Sequence, residues 1–343
     1  MPPSGRLRLN RSSPDLGSGK LRRREFIGLL GGAAVAWPIA ERAQMADRVR
    51  SIGVLATFEE DNPNLLAFEN RLQELGWTEA RLRIAIQVAE DGQRLRTAAR
   101  ELITLTPDAI LSTTSTTARA LLDATSTIPI VSAVLGDPVA LGFTRSMSRP
   151  TGNITGFTTF NDTVASKRLE MLREMIGSMN KAALMWVPDN PQQVLLAEQT
   201  KEAARGLGIE LLSLPLNTAD DIAPALAKAA IAQVQAIVVA ADPLTVANAR
   251  SIIDGCTARG LPSMHTFVFE TRSGALMSFG ADLSENYRSA AGYIDQILRG
   301  VKVADLPFQE PTRLTLSINL GTARSLRIAV PPSLFARADE VIE

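Results

Sequence analysis

From residue 50 onward, short runs of β-branched and other apolar residues alternate with stretches whose apolar positions recur at spacings of three and four. The first pattern is that of strands covered on both faces, the second that of amphipathic helices. Alternation of the two predicts βαβ units, and therefore parallel sheets with helices on either side. Strand runs fall at 51–56, 82–89, 109–113 and 129–134, and again at 182–187, 209–214, 236–241, 263–266 and 275–279. Helical spacing runs through 94–105, 115–124, 165–176, 193–207, 221–231, 244–259 and 284–299. An earlier helix carries Leu65, Leu66, Phe68, Leu72 and Leu75 and stops at Gly76. Two such series predict an α/β chain with two doubly wound parallel-sheet lobes. After Gly300 the pattern changes to an extended stretch at 303–312, a strand at 314–319 and a short helix after Pro331-Pro332. A tail of that length is expected to cross back between the lobes and to make a multi-crossing hinge. The expected division is 46–158 plus about 283–308 for lobe 1, and 159–282 plus about 309–343 for lobe 2.

A chain of 343 residues holds two domains of ordinary size. Its only cysteine is Cys256 and its only histidine His265. Disulfide frameworks and zinc sites need more imidazole or thiolate groups than that, and a single His and a single Cys make haem sites and Ser-His-Asp triads hard to assemble, so no metal and no cofactor is expected. Net charge is zero, yet residues 1–43 hold eight Lys/Arg and three Asp/Glu, leaving 28 basic against 33 acidic residues beyond them. A mildly acidic body lacks the clustered cations that nucleic acids require, so none is expected as a partner.

The first 45 residues read as an address. Arg22-Arg23-Arg24-Glu25-Phe26-Ile27 leads into the apolar, glycine-rich run from Gly28 to Ala36, followed by Trp37-Pro38 and small residues. That is the layout of a signal peptide, and its apolar core of about a dozen residues falls short of the ~20 that span a bilayer. Arg23 and Arg24, with Phe26 two positions on, resemble the twin-arginine export signal, which is read by a translocase. A cleaved, exported and periplasmic protein is expected, with a mature start between Glu41 and Asp47. The twenty residues before Leu21 exceed what such a signal needs; they are an over-extended start or a basic tail.

Several segments resemble the ABC-type transporter substrate-binding protein family of the tryptophan- and tyrosine-uptake kind. They are Ser126-Thr127-Ile128-Pro129-Ile130-Val131, the run from Gly136 to Phe143, and Arg149-Pro150-Thr151-Gly152-Asn153-Ile154-Thr155-Gly156-Phe157. Towards the end Ile297-Leu298-Arg299-Gly300, Ala304-Asp305-Leu306-Pro307, Ile318-Asn319-Leu320 and Val330-Pro331-Pro332 match as well. The resemblance covers residues from about 50 to the end. It implies the periplasmic binding protein type I fold, a Venus-flytrap of two lobes around a cleft. It further implies capture of a small-molecule ligand and its delivery to an ABC permease and, through it, the ATPase. The protein is expected to act as a monomer and to catalyse nothing. The competing readings are a periplasmic sensor subunit and a racemase or lyase on a similar scaffold. Cofactor-free racemases of this shape typically use two cysteines, and this chain has one.

In open α/β sheets ligands gather beyond the carboxyl ends of the strands, at helix N-termini. The strand ends therefore supply the candidates. Ser112 to Thr117 are six consecutive hydroxyl residues entering a helix, from which Thr114, Ser115 and Thr116 are expected to hold a carboxylate; plain N-capping is the competing role. Thr57 and Phe58 follow the first strand as a cleft wall or an ordinary loop. Asp137 either faces an ammonium group or makes a proline-stiffened turn. Asp189 and Asp242 occupy the equivalent places in the second lobe, Asp242 being the preferred ammonium partner or else the cap of the next helix. Asn161 and Asp282 lie near the two crossings, as ligand contacts or as hinge. His265 ends a strand, facing ligand or packed as structure.

Overall fold

The computed structural model describes residues 48–57, 62–89, 92–159 and 164–343. The twin-arginine segment with Arg23, Arg24 and Phe26 lies outside them, as do Phe58 and Asn161. Residues from Val49 to the end form one compact unit. Its first lobe runs β1 (Arg50–Ala56), α1 (Pro63–Glu74), β2 (Leu82–Val88), α2 (Gly92–Thr104), β3 (Ala109–Ser112), α3 (Ser115–Ala124), β4 (Ile130–Leu135) and β5 (Ile154–Thr158). Its five strands are all parallel, in the order β2-β1-β3-β4-β5. The second series is α4 (Val164–Ile176), β6 (Lys181–Trp186), α5 (Pro191–Gly206), β7 (Glu210–Pro215), α6 (Ile222–Ile231), β8 (Ala236–Val239), α7 (Pro243–Ala247), α8 (Ala249–Ala258), β9 (Ser263–His265), α9 (Val268–Arg272) and β10 (Met277–Ala281). The chain closes with α10 (Leu283–Leu298), β11 (Leu314–Asn319), α11 (Leu320–Ser325), α12 (Pro332–Arg337) and β12 (Glu340–Ile342). The second sheet has seven strands in the order β12-β11-β10-β9-β8-β6-β7.

Alternation along each strand feeds a core on each face, which is what doubly wound sheets require. Ile52 and Val54 of β1 join Leu65 and Phe68 of α1 and Tyr287 and Ile294 of α10, while Leu55 turns to Leu102 of α2 and Leu121 of α3. In the second lobe Leu184 and Val238 pack on Leu169 and Leu172 of α4, whereas Ala183, Met185, Ile237 and Val239 meet Leu226 of α6 and Ile252 of α8.

The chain passes between the two sheets three times. Strand β5 ends at Thr158 in the first sheet and α4 begins at Val164 on the second. After β10 the chain returns, because α10 shares the first lobe's core and Asn286 Nδ2 donates to the carbonyls of Ala133 and Thr158 at 3.1 and 3.3 Å. The stretch after α10 stays with β5: Thr155 Oγ1 donates to Leu306 O at 2.6 Å, and Thr158 N to Gln309 O at 2.8 Å. Only then does the chain re-enter the second sheet as β11. The second and third crossings touch, Asp282 N donating to Arg313 O at 3.4 Å.

Sequence expectations differ from the fold in several places. The run 154–158 is a strand of the first sheet, and 340–342 adds a further strand to the second. Strand β11 lies antiparallel to β10, so the second sheet is not wholly parallel. The continuous helix expected over 244–259 is two helices meeting at Asn248, whose Nδ2 donates to Leu244 O at 2.8 Å and competes with the helical ladder. The stretch after Gly300 is not extended throughout; 303–305 form one 3₁₀ turn.

Candidate ligand-binding site

Strand order reverses around β1 and β3 in the first sheet and around β6 and β8 in the second, and ligands bind at such switch points. Beyond β3, β6 and β8 the chain turns straight into capped helices. Thr114 caps α3, accepting Thr117 N–H, while Thr117 Oγ1 answers by accepting Thr114 N–H. Asn190 caps α5 by accepting Gln192 N–H at 3.0 Å, and Asp242 caps α7 by accepting Leu244 N–H at 3.0 Å. Proline at the first position of α5 and α7 fixes the helical φ where no donor is lost. The positive ends of α3, α5 and α7 thus sit at the strand termini that form the two walls.

The walls meet through one side chain that the sequence pattern did not single out. Ser115 Oγ–H of the first lobe donates to Gln192 Oε1 of the second at 3.0 Å, and Gly136 N–H donates to Ser115 Oγ at 3.0 Å. Gln192 lies so close over Gly136 that a Cβ there would come within 2.5 Å of Gln192 Cδ. A side chain at 136 would therefore require Gln192 to move away.

The other strand-end candidates play several different parts. Thr57 is half-buried directly after β1. Thr116 is exposed, with its hydroxyl 2.8 Å from that of Thr114. Ser112 and Thr117 turn inward and bond each other at 2.7 Å, so the six-hydroxyl run divides between a buried network and the cleft. Asp137 Oδ1 accepts the amides of Val139 and Ala140 at 2.8 and 3.1 Å, the turn-forming role. Asp189 is exposed in the turn before Asn190. Asp242 is buried and both of its oxygens are engaged, Oδ1 by Leu244 N–H and Oδ2 by Asn190 Nδ2 at 2.8 Å. Asp282 caps α10 through Glu285 N–H. His265 is not at the cleft surface: it is 0% exposed and its Nδ1 lies 2.9 Å from Glu270 Oε1.

A second feature the pattern missed is Arg168 in the first turns of α4. It is 5% exposed, and its Nε donates to Phe279 O at 2.8 Å. Burial pulls its guanidinium down to about 10 against the opposing pull of Glu270. Gln193 is a further buried polar side chain: its Nε2 donates to Ala241 O at 2.7 Å and its Oε1 has no partner. No group of His, Cys, Asp and Glu among the described residues is arranged to hold a metal ion.

The profile of the family described as ABC transporter substrate binding protein matches residues 51–342. This chain belongs to that family. The substrate-binding chain is also 21% identical to a tyrosine-binding protein of Clostridioides difficile over 261 residues, 76% of this chain and 75% of the relative. Among solved structures, an ABC domain from Streptococcus pneumonia in complex with L-Trp superposes with a TM-score of 0.81 at 21% identity, covering 86% of this chain and all of the other. The ligand-free, open structure of a substrate binding protein with adhesive properties from Clostridium difficile gives 0.66 at 20% identity, covering 86% and 99%. Fold and family are therefore those of a two-lobed substrate-binding protein. No helix among the described residues is long and apolar enough to cross a membrane.

Proposed function

We propose that this protein is the extracytoplasmic solute-binding component of an ABC importer, which captures a small organic molecule between its lobes by hinge closure and catalyses no reaction. The observation that carries this reading is the pair of bonds from Gly136 through Ser115 to Gln192, which joins the two walls at their helix N-termini. Contacts of this kind exist in a closed form and are lost in an open one, and a ligand shifts that equilibrium only by favouring the closed side. The better superposition on the L-Trp complex than on the open, ligand-free structure supports the same reading. Aromatic amino acids are the first solutes to test, since the relatives are named for binding tyrosine and tryptophan.

In this reading residues 46–158 with about 283–308 move as one lobe and 159–282 with about 309–343 as the other, around the three crossings. Export through the twin-arginine translocase by Arg23, Arg24 and Phe26 places the monomer in the periplasm, where the closed form docks on the permease. A thermal-shift screen of the purified chain against amino acids, aromatic acids, nucleosides and small carboxylates tests the capture. Binding to the native state alone adds about 2.7 kcal/mol at a hundredfold excess over Kd. The expected result is a saturable shift with a compound that mass spectrometry recovers unaltered. Conversion of the compound to a product would replace this reading with an enzymatic one.

A further inference from the structure

Gln192 meets Ser115 at 3.0 Å, and a hydrogen bond of that length is lost when the heavy atoms part by about half an ångström more. The first turn of α5 must therefore be placed closely. Core packing does not do this: in the first two turns of α5 the one buried residue is Gln193, and the next, Thr200 and Ala204, lie further along. The sheet does not do it either. The ladder between β6 and β8 ends with Met185 opposite Val239 and with Ala240 N–H donating to Met185 O at 3.0 Å. Beyond that point no backbone hydrogen bond joins the two strand exits among the described residues.

Side chains take over where the ladder stops. Asn190 Nδ2 donates to Asp242 Oδ2 at 2.8 Å, and Gln193 Nε2 donates to Ala241 O at 2.7 Å, so two bonds tie the start of α5 to the turn between β8 and α7. Asp242 is a fixed anchor. Its Oδ1 accepts Leu244 N–H at 3.0 Å and its own N–H donates to Thr245 Oγ1 at 2.9 Å, while that buried hydroxyl donates to Ala240 O at 2.8 Å. Asn190 passes the restraint on, because its Oδ1 accepts the amide of Gln192 itself at 3.0 Å. An unbroken series of bonds thus runs from Thr245 through Asp242, Asn190 and Gln192 to Ser115. Gln193 carries a cost that an apolar side chain of similar length would avoid, since its Oε1 is buried without a partner. What its amide nitrogen holds accounts for a glutamine at that position.

We propose that Asp242, Asn190 and Gln193 are positioning residues for closure: they brace the start of α5 against the turn after β8 and so hold Gln192 where it meets Ser115 of the other lobe. The inference rests on the closure reading. It gives Asp242 a part other than ligand contact, one that acts on every captured solute alike.

The test is calorimetric titration of the full chain with L-tyrosine and L-tryptophan. Asp242→Asn keeps an oxygen to cap α7 but sets an amide nitrogen against that of Asn190; Gln193→Met removes the second bond together with the orphan acceptor. Each is expected to raise Kd roughly two- to fivefold, the ceiling being the one neutral bond made by Gln192. Two readouts separate positioning from damage to the fold. In a Gln192→Ala background neither change should raise Kd further, because the bond through which they act is already gone. Adding Asn190→Asp to Asp242→Asn exchanges the two groups and again sets a donor against an acceptor, so Kd should return to within about twofold of wild type, whereas Asn190→Asp alone opposes two carboxylates and weakens binding. If Asp242→Asn does not fold, Gln193→Met and its cycle with Gln192→Ala decide the matter. Unchanged Kd in the single variants, a swapped pair no better than Asp242→Asn alone, or an undiminished loss in the Gln192→Ala background would overturn the brace and leave capture standing. The last result is also what direct contact between Asp242 and a solute's ammonium group would give. A wild-type chain that binds neither amino acid nor any solute of the wider screen loses both readings.

Discussion

On the proposed hinge closure, Gln192 reports the free energy of closing the cleft. Its Oε1 accepts Ser115 Oγ–H at 3.0 Å across the cleft, and its side chain packs on Gly136. A neutral hydrogen bond is worth about 1 kcal/mol net, and this one is formed only when the lobes are together. Gln192→Ala therefore raises the closed form by about 1 kcal/mol relative to the open one, a factor of roughly five at 1.4 kcal/mol per decade. When the free protein is mostly open, apparent Kd rises by that same factor. The assay is calorimetric titration of wild type and variant with the solute identified by the thermal-shift screen. Gly136→Ala should act in the same direction, because its Cβ would sit 2.5 Å from Gln192 Cδ and push the side chain off the wall. The two changes share one contact, so the double variant should lose less than the sum. A Kd within twofold of wild type for both single variants would refute the claim that this contact belongs to the bound state.

Three further outcomes are expected. Gly156→Ala should lower stability by about 3–5 kcal/mol and Tm by roughly 6–15 °C, since its φ is +149° and a Cβ would stand 2.1 Å from Ser132 O in the neighbouring strand; a melting curve within 2 °C of wild type would contradict the placement of that strand. Burial pushes the Cys256 thiol up to about 12, leaving about one thiolate in ten thousand at pH 8, so the folded chain should resist a disulfide reagent that labels it at once in guanidinium; rapid labelling of the native protein would place Cys256 at the surface. Changing Arg23-Arg24 to Lys-Lys should leave the precursor in the cytoplasm on fractionation and immunoblotting, and normal export would remove the twin-arginine reading.

The parts of this fold that the sequence pattern revealed are those whose residue choice is dictated by layering. Ala236 to Val239 can only be a strand covered on both faces, and Leu65, Phe68 and Leu72 can only be one face of a helix. Strand direction is different: Leu314–Asn319 has the composition of its neighbours, and its antiparallel course is set by the crossing that precedes it. Strand β5 was hidden because Gly156, required by close approach to Ser132, interrupts the β-branched run. At the site, the candidates were chosen as short polar residues at strand ends. Those same positions must start helices, so Thr114, Asp242 and Asp282 are engaged as caps. Gln192, which joins the walls, and Arg168, which is buried, lie in the first two turns of α5 and α4. There a long polar side chain reads as surface, and only tertiary packing makes it otherwise.

Small-angle X-ray scattering of the chain with and without its saturating solute tests capture by closure most directly. Closure predicts that the liganded protein scatters as the arrangement in which Ser115 meets Gln192, and that the free protein has a larger radius of gyration. Identical scattering curves for the free protein and a calorimetrically saturated one would mean that the solute binds without closing the lobes, and the central claim would fail.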